Sequence, residues 1–187
     1  MKTSVEGIMY PINARSLVLS CVGSVSGNRS WDSFLEVPHA SWSSVGDDLS
    51  SVFSFGVDDA VRQVFVLAPL HKGPVCIEDL GPVFAPSSGE LCGSDWSVSL
   101  SVPPALSDLV SVSDDICSEE CSLEVIAPYL SVLFPSASVC YLLAASGGVC
   151  VKRIVEIIRK DFPFSPIFIS NNKETQCASM WKEAFRP

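Results

Sequence analysis

The sequence predicts an α/β fold, a three-layer arrangement with a mixed or largely parallel central sheet between helical layers. Three observations predict it. Apolar strand-like runs alternate with helical patterns along the chain. The run from Val64 to Leu67 in VRQVFVLAP is apolar on both faces, as in a strand covered by helices on each side. No repeat and no long linker interrupts the alternation, so the 187 residues read as a single domain, 1–187.

Each element follows from its local pattern. Residues 14–24 have helical apolar spacing. SWDSFLEV gives a first strand ending near Pro38, and residues 44–54 suit a second helix. Asp58 and Asp59 precede a short turn before VRQVFVLAP, the clearest strand. VCIEDLGPVFAPSSGELCG reads as short strands joined by Pro, Gly and Ser turns, and residues 104–111 as a helix. The strongest helix is expected from Ser118, because Leu123, Ile126, Ala127 and Leu130 repeat at i, i+3, i+4 and i+7. Pro128 should kink it. ASVCYLLAA follows as a strand, then a Gly147–Gly148 turn. Val151, Ile154, Val155 and Ile158 mark a further amphipathic helix, and SPIFIS a last short strand.

Composition narrows the function. The net charge is −9, from 21 acidic and 12 basic residues. Nucleic-acid binding needs Lys and Arg against phosphates, and the one basic run, VKRIVEIIRK, is a single helix face. The same balance argues against an anionic membrane surface. Residues 125–151 carry no charge, but Pro128, Pro135 and the glycine pair divide them into helix, strand and turn, so no membrane span is expected. The N-terminus lacks a secretory apolar core, and a cytoplasmic protein is expected. The eight cysteines (21, 76, 92, 117, 121, 140, 150 and 177) show no C-x-x-C pair, which fits reduced thiols. The glycines form neither a P-loop nor a dinucleotide fingerprint, so no nucleotide cofactor is expected.

The two histidines, His39 in SFLEVPHASW and His71 in VRQVFVLAPLHKG, each follow a strand-like run. In open α/β sheets ligands gather beyond the carboxyl ends of the strands. Two imidazoles there would supply half of a metal site. Both have reference pKa values of about 6.5 and ligate as neutral rings at pH 7.

Several segments, taken in order, resemble the Memo-like family, also known as protein B of the AmmeMemoRadiSam system. EGIMYP is similar to the family's AGxFYP, PHASW to PHAGY, and VFVLAPLH to a strand ending GPSH. FAPSSGEL is similar to its TPLG turn, ECSLEVIAPYL to EHSLEVQLPFL, and IFISNN to the strand ending SSD. The resemblance implies a fold similar to class III extradiol dioxygenases, which use non-haem iron. It also implies a pocket with iron or copper binding and redox activity, in which His39 and His71 take the two histidine roles. The departures are specific. Cys121 replaces the His of EHSLE, Asn172 matches the Asp of SSD, and Ser41-Trp42 replaces GY. The family's C-terminal portion, with its pocket cysteine, has no counterpart in this chain.

A catalytic metal centre usually has three protein ligands and an open position. The candidate third ligands are Cys121, Glu120 and, more remotely, Cys177. The expected metal set is His39, His71 and Cys121, with Glu120 hydrogen-bonding a ligand from behind. A thiolate favours copper(I) or zinc over iron. The plainer reading is that each histidine bonds a backbone carbonyl. Asp114, Asp115 and Glu119 read as a solvated acidic face at a helix N-terminus. A nucleophilic pair of Cys121 with either histidine is a further alternative. Two functions follow: a metal-dependent, dioxygenase-like redox protein, or a non-catalytic relative acting through a binding partner. A sheet edge left uncovered by the shortened C-terminus would invite a homo-oligomer or a protein partner.

Overall fold

Strand pairing organises the molecule, because the longest and most buried strands lie side by side at its centre. The computed structural model describes residues 10–21, 34–38, 40–70, 83–145, 149–171 and 177–186. In chain order the elements are α1 (Ala14–Cys21), β1 (Leu35–Pro38), α2 (Trp42–Val52), β2 (Gln63–Pro69), β3 (Val83–Ala85), β4 (Gly89–Cys92) and β5 (Ser97–Leu100). A 3-10 helix (Pro104–Leu109), β6 (Val110–Val112), α3 (Asp114–Ser118), α4 (Ser122–Leu133), β7 (Ser138–Ala144), α5 (Val149–Asp161), β8 (Ile167–Asn171) and α6 (Cys177–Ala184) complete it.

The sheet order is β1-β8-β2-β7-β3-β6, with β4 and β5 attached through β7. From β1 to β7 all neighbours are parallel. Beyond β7 the sheet is mixed. β5 runs parallel to the start of β7, with Leu100 opposite Val139, while β3 runs antiparallel to its end, with Phe84 opposite Leu143. The two strands thus divide one edge of β7.

Alternation along the strands separates two cores. Val64, Val66, Ala68, Val139, Tyr141 and Leu143 face α1, α2 and α4. Phe65, Leu67, Cys140, Leu142 and Ala144 face α5, α6 and the 3-10 helix. This is the three-layer α/β arrangement that the apolar run of β2 predicts. Among the described residues no helix is long and apolar enough to cross a membrane. The uncharged stretch from residue 125 is instead α4, β7 and the start of α5.

Four local outcomes differ from the sequence pattern. The helix expected from Ser118 is two helices. Ser113 caps α3 by accepting from the Ile116 N–H (3.4 Å), which starts the helix earlier. The chain then breaks at Glu119–Cys121 before α4 begins. The helix expected over 104–111 is a 3-10 turn that gives way to β6. β5 and α6 had no clear signature. In β5 only Val98 and Leu100 face inward between exposed serines. The Gly147–Gly148 turn lies outside the described residues.

α4 is buried along its whole length. Pro128 lacks an N–H, so the Glu124 carbonyl loses its partner one turn on. The neighbouring Val125 carbonyl accepts from the Trp42 indole (2.8 Å), which ties α2 to α4. Tyr129 stacks on Phe53 at 4.6 Å, and its hydroxyl pairs with Ser50. On the other face Trp181 of α6 is fully buried and donates to the Ala68 carbonyl of β2 (3.1 Å). The β4–β5 turn docks on α1, because Asp95 accepts from the Arg15 and Ser16 amides at the helix start. Trp96 lies so close to Gly93 that a Cβ there would collide with its indole Nε1.

Trp181→Phe should leave the Ala68 carbonyl without this donor and open a small void where the second ring of the indole lies. We expect a loss of ~1–3 kcal/mol in urea unfolding, with an unchanged slope.

Candidate functional site

The break between α3 and α4 concentrates polar side chains in an apolar setting. Glu120, Ser122 and Glu124 are buried there, although the i, i+4 acidic pattern resembles a solvated helix face. The rest of that pattern behaves as expected. Asp114, Asp115 and Glu119 are exposed, with the two aspartates in the first turn of α3. Cys117 is buried, and Cys121, at the start of α4, is half-buried.

Two contacts fix this junction against the sheet. Ser122 Oγ and the Tyr141 hydroxyl of β7 are 2.5 Å apart. Asp114 accepts from Ser87, from its N–H at 2.9 Å and its hydroxyl at 2.7 Å, which pins the turn after β3 to α3. Those bonds hold the Asp114 carboxyl below the usual range. Between these contacts lies a cavity of about 20 Å³. Pro86, Leu91, Leu100 and Leu123 form its apolar walls, and Cys117, Glu124 and Tyr141 its polar side.

The electrostatics are one-sided. Burial raises the Glu124 carboxyl to about 7, with Glu120 adding to the shift and its own backbone N–H opposing it. Burial pushes the Cys117 thiol up to about 12, helped by Asp114, Glu120 and Glu124. Cys121 is raised by burial, then by Glu124 and Glu120. Tyr141 is raised well above its ordinary value by burial and then by Glu124. A cation entering here would meet carboxylates and find thiols with protons to give up. An isolated thiolate is disfavoured, which weakens the nucleophilic pairing of Cys121 with a histidine.

His39 and His71 lie outside the described residues. The strands leading to them do not. Pro38, next to His39, is level with Asn171 at the carboxyl end of β8. On the other side of β8, Leu67 is level with Ile169, so Pro69 is also level with Asn171. β1 and β2 therefore end together, two strand spacings or about 10 Å apart. Trp42, three residues beyond His39, contacts α4 at Val125, and the Val125 N–H bonds the Cys121 carbonyl (3.2 Å). Glu120 and Cys121 thus belong to one buried junction, and the strand ends beside both histidines belong to one end of the sheet. Cys177 opens α6, which packs on the opposite face of the sheet from α4. Among the described residues no group of three or more His, Cys, Asp or Glu side chains is arranged to hold a metal ion.

Tyr141 and Glu124 carry more of this site than the sequence reading assigned to them. The signal available for Tyr141 was a hydroxyl tip in an otherwise apolar strand. No family model matches the chain, and no curated protein matches it.

Two predictions follow from the electrostatics. Glu124 is protonated in the folded chain up to about pH 7 but ionised in the unfolded chain above about 4.5. Its contribution is full below about 4.5 and is lost as pH rises through about 7. Glu124→Gln should therefore gain stability relative to wild type between pH 5 and 8, by on the order of 3 kcal/mol, as read from urea midpoints. In iodoacetamide labelling of the folded protein at pH 7.5, mass spectrometry should find Cys117 and Cys140 unmodified, since burial raises both to about 12.

Proposed function

We propose that this chain is a Memo-like protein that holds a transition metal at the carboxyl end of its sheet, with His39, His71 and Cys121 as ligands and Glu120 behind them. The observation that carries the reading is the 2.8 Å bond from the Trp42 indole to the Val125 carbonyl. It ties the segment that begins at His39 to the first turn of the helix that begins beside Cys121. The common level of Pro38 and Pro69 at the ends of β1 and β2 supports the same arrangement.

The donor chemistry suits a soft cation. Two neutral imidazoles and a thiol favour copper(I) or zinc, with iron less well matched by the sulfur. The carboxylates of Glu120 and Glu124 offset the positive charge, and Cys121 would give up its proton on binding. A bound metal would supply redox or Lewis-acid chemistry. The apolar surroundings of α4 and β7 limit water on the inner side, and Trp42 fixes the approach of the segment after β1.

The test is titration of metal-free protein with Cu(I), Zn(II) and Fe(II), alongside elemental analysis of protein purified without an affinity tag. We expect stoichiometric Cu(I) or Zn(II), and affinity at least about tenfold lower in the His39→Ala/His71→Ala variant and in Cys121→Ala. Equal affinity in wild type and variants removes the proposal. A second reading is a non-catalytic relative that keeps the fold and acts through a protein partner. No bound metal after reconstitution supports that reading.

A further inference from the structure

The edge of β7 has a gap. β5 covers Ser138 and Val139, and β3 covers Leu143 and Ala144. Continued by two residues, the β3 register would set Pro86 opposite Tyr141, but a proline has no N–H to extend the ladder. The cavity described above opens at this fork, and Cys121 is not among the described residues that line it.

Glu124 reaches this cavity in an unusual state. It is 8% exposed, and among the described residues no side chain bonds it; its hydrogen-bond partner is its own backbone N–H. Among the described residues, the charged groups acting on the polar side of the cavity are acidic: Glu120 on Glu124, and Asp114, Glu120 and Glu124 on Cys117. A buried carboxyl group costs stability unless something compensates it. The remaining walls are hydrocarbon from Pro86, Leu91, Leu100 and Leu123. A bare metal ion would find too few ligands in such a pocket. An anion would be repelled.

We propose that the fork cavity binds a small primary organic ammonium, with its –NH₃⁺ group on the Glu124 carboxylate beside the Tyr141 hydroxyl and its alkyl tail against Leu91, Leu100 and Leu123. A cavity of about 20 Å³ suits one ammonium head, with a short tail running along the leucine walls toward the mouth. Three donors on the head match the carboxylate and phenol oxygens of Glu124 and Tyr141, both of which line the cavity. The site is separate from the proposed metal ligands, and its test needs no metal.

The experiment is a titration of the full chain with n-propylammonium chloride, followed by NMR and calorimetry, with a metal chelator present throughout. We expect saturable one-to-one binding at pH 8. Affinity should fall at least about tenfold in Glu124→Gln, and n-propanol and tetramethylammonium should bind at least about tenfold more weakly than propylammonium. Leu100→Phe, which keeps the acid but narrows the cavity, should also weaken binding. Wild-type affinity should rise between pH 6 and 8 as Glu124 ionises. Of its neighbours, the Cys117 and Cys121 thiols and the Tyr141 phenol, all raised, stay protonated across that range, while Glu120 and Asp114 add negative charge. Absence of saturable propylammonium binding overturns the proposal. So does equal affinity for propanol, or equal affinity in Glu124→Gln.

Discussion

The pairing of β7 with β2 is the constraint on which the other layers depend. Seven residues of each strand are in register, from Gln63 opposite Ser138 to Pro69 opposite Ala144. That ladder fixes which side chains face which layer. Tyr141 and Leu143 must point towards α4 if Cys140 and Leu142 point towards α5. A slip of one residue would exchange the two sets and put a phenol hydroxyl into the aliphatic face beneath α5. The other edge of β7 then has to accept two short strands arriving from opposite directions, and Pro86 determines where one of them stops.

The polar junction is the consequence of that geometry. α4 lies over the half of the sheet where β5 leaves, so its first turn sits above an incomplete edge rather than a continuous one. Glu120 and Glu124 are held there by backbone geometry and helix packing, with desolvation raising the Glu124 acid. The cluster stores negative potential inside a molecule that is already acidic overall. Both the proposed metal and the proposed ammonium use that potential, at neighbouring places and through different donors.

Much of the architecture was legible. The two-sided apolar runs of β2 and β7 announce central strands, and the spacing of Val151, Ile154, Val155 and Ile158 announces α5. β5 was not legible, because serine at alternate positions dilutes the strand signal. The division of α3 from α4 was hidden because Cys117 and Cys121, four residues apart, keep a helical spacing that does not show the break. The fate of the glutamates was hidden for a different reason. Acids at i and i+4 look the same whether a helix faces water or a sheet, and only the packing of Tyr141 and Leu123 decides between the two. The positions of the histidines after β1 and β2 could be read locally. That β8 lies between those strands could not, since it depends on pairing across more than a hundred residues.

That long-range insertion has a consequence for synthesis. β1 has β8 as its ladder partner, and β8 is translated about 130 residues later. At typical elongation rates the nascent chain waits on the order of ten seconds before Leu35–Pro38 can pair. Throughout that interval the early segment is an unprotected template for other chains. The exposed Glu36 at its middle, later matched by Asn171 and Lys182, gives it a charge that discourages such encounters until its own partner emerges from the ribosome.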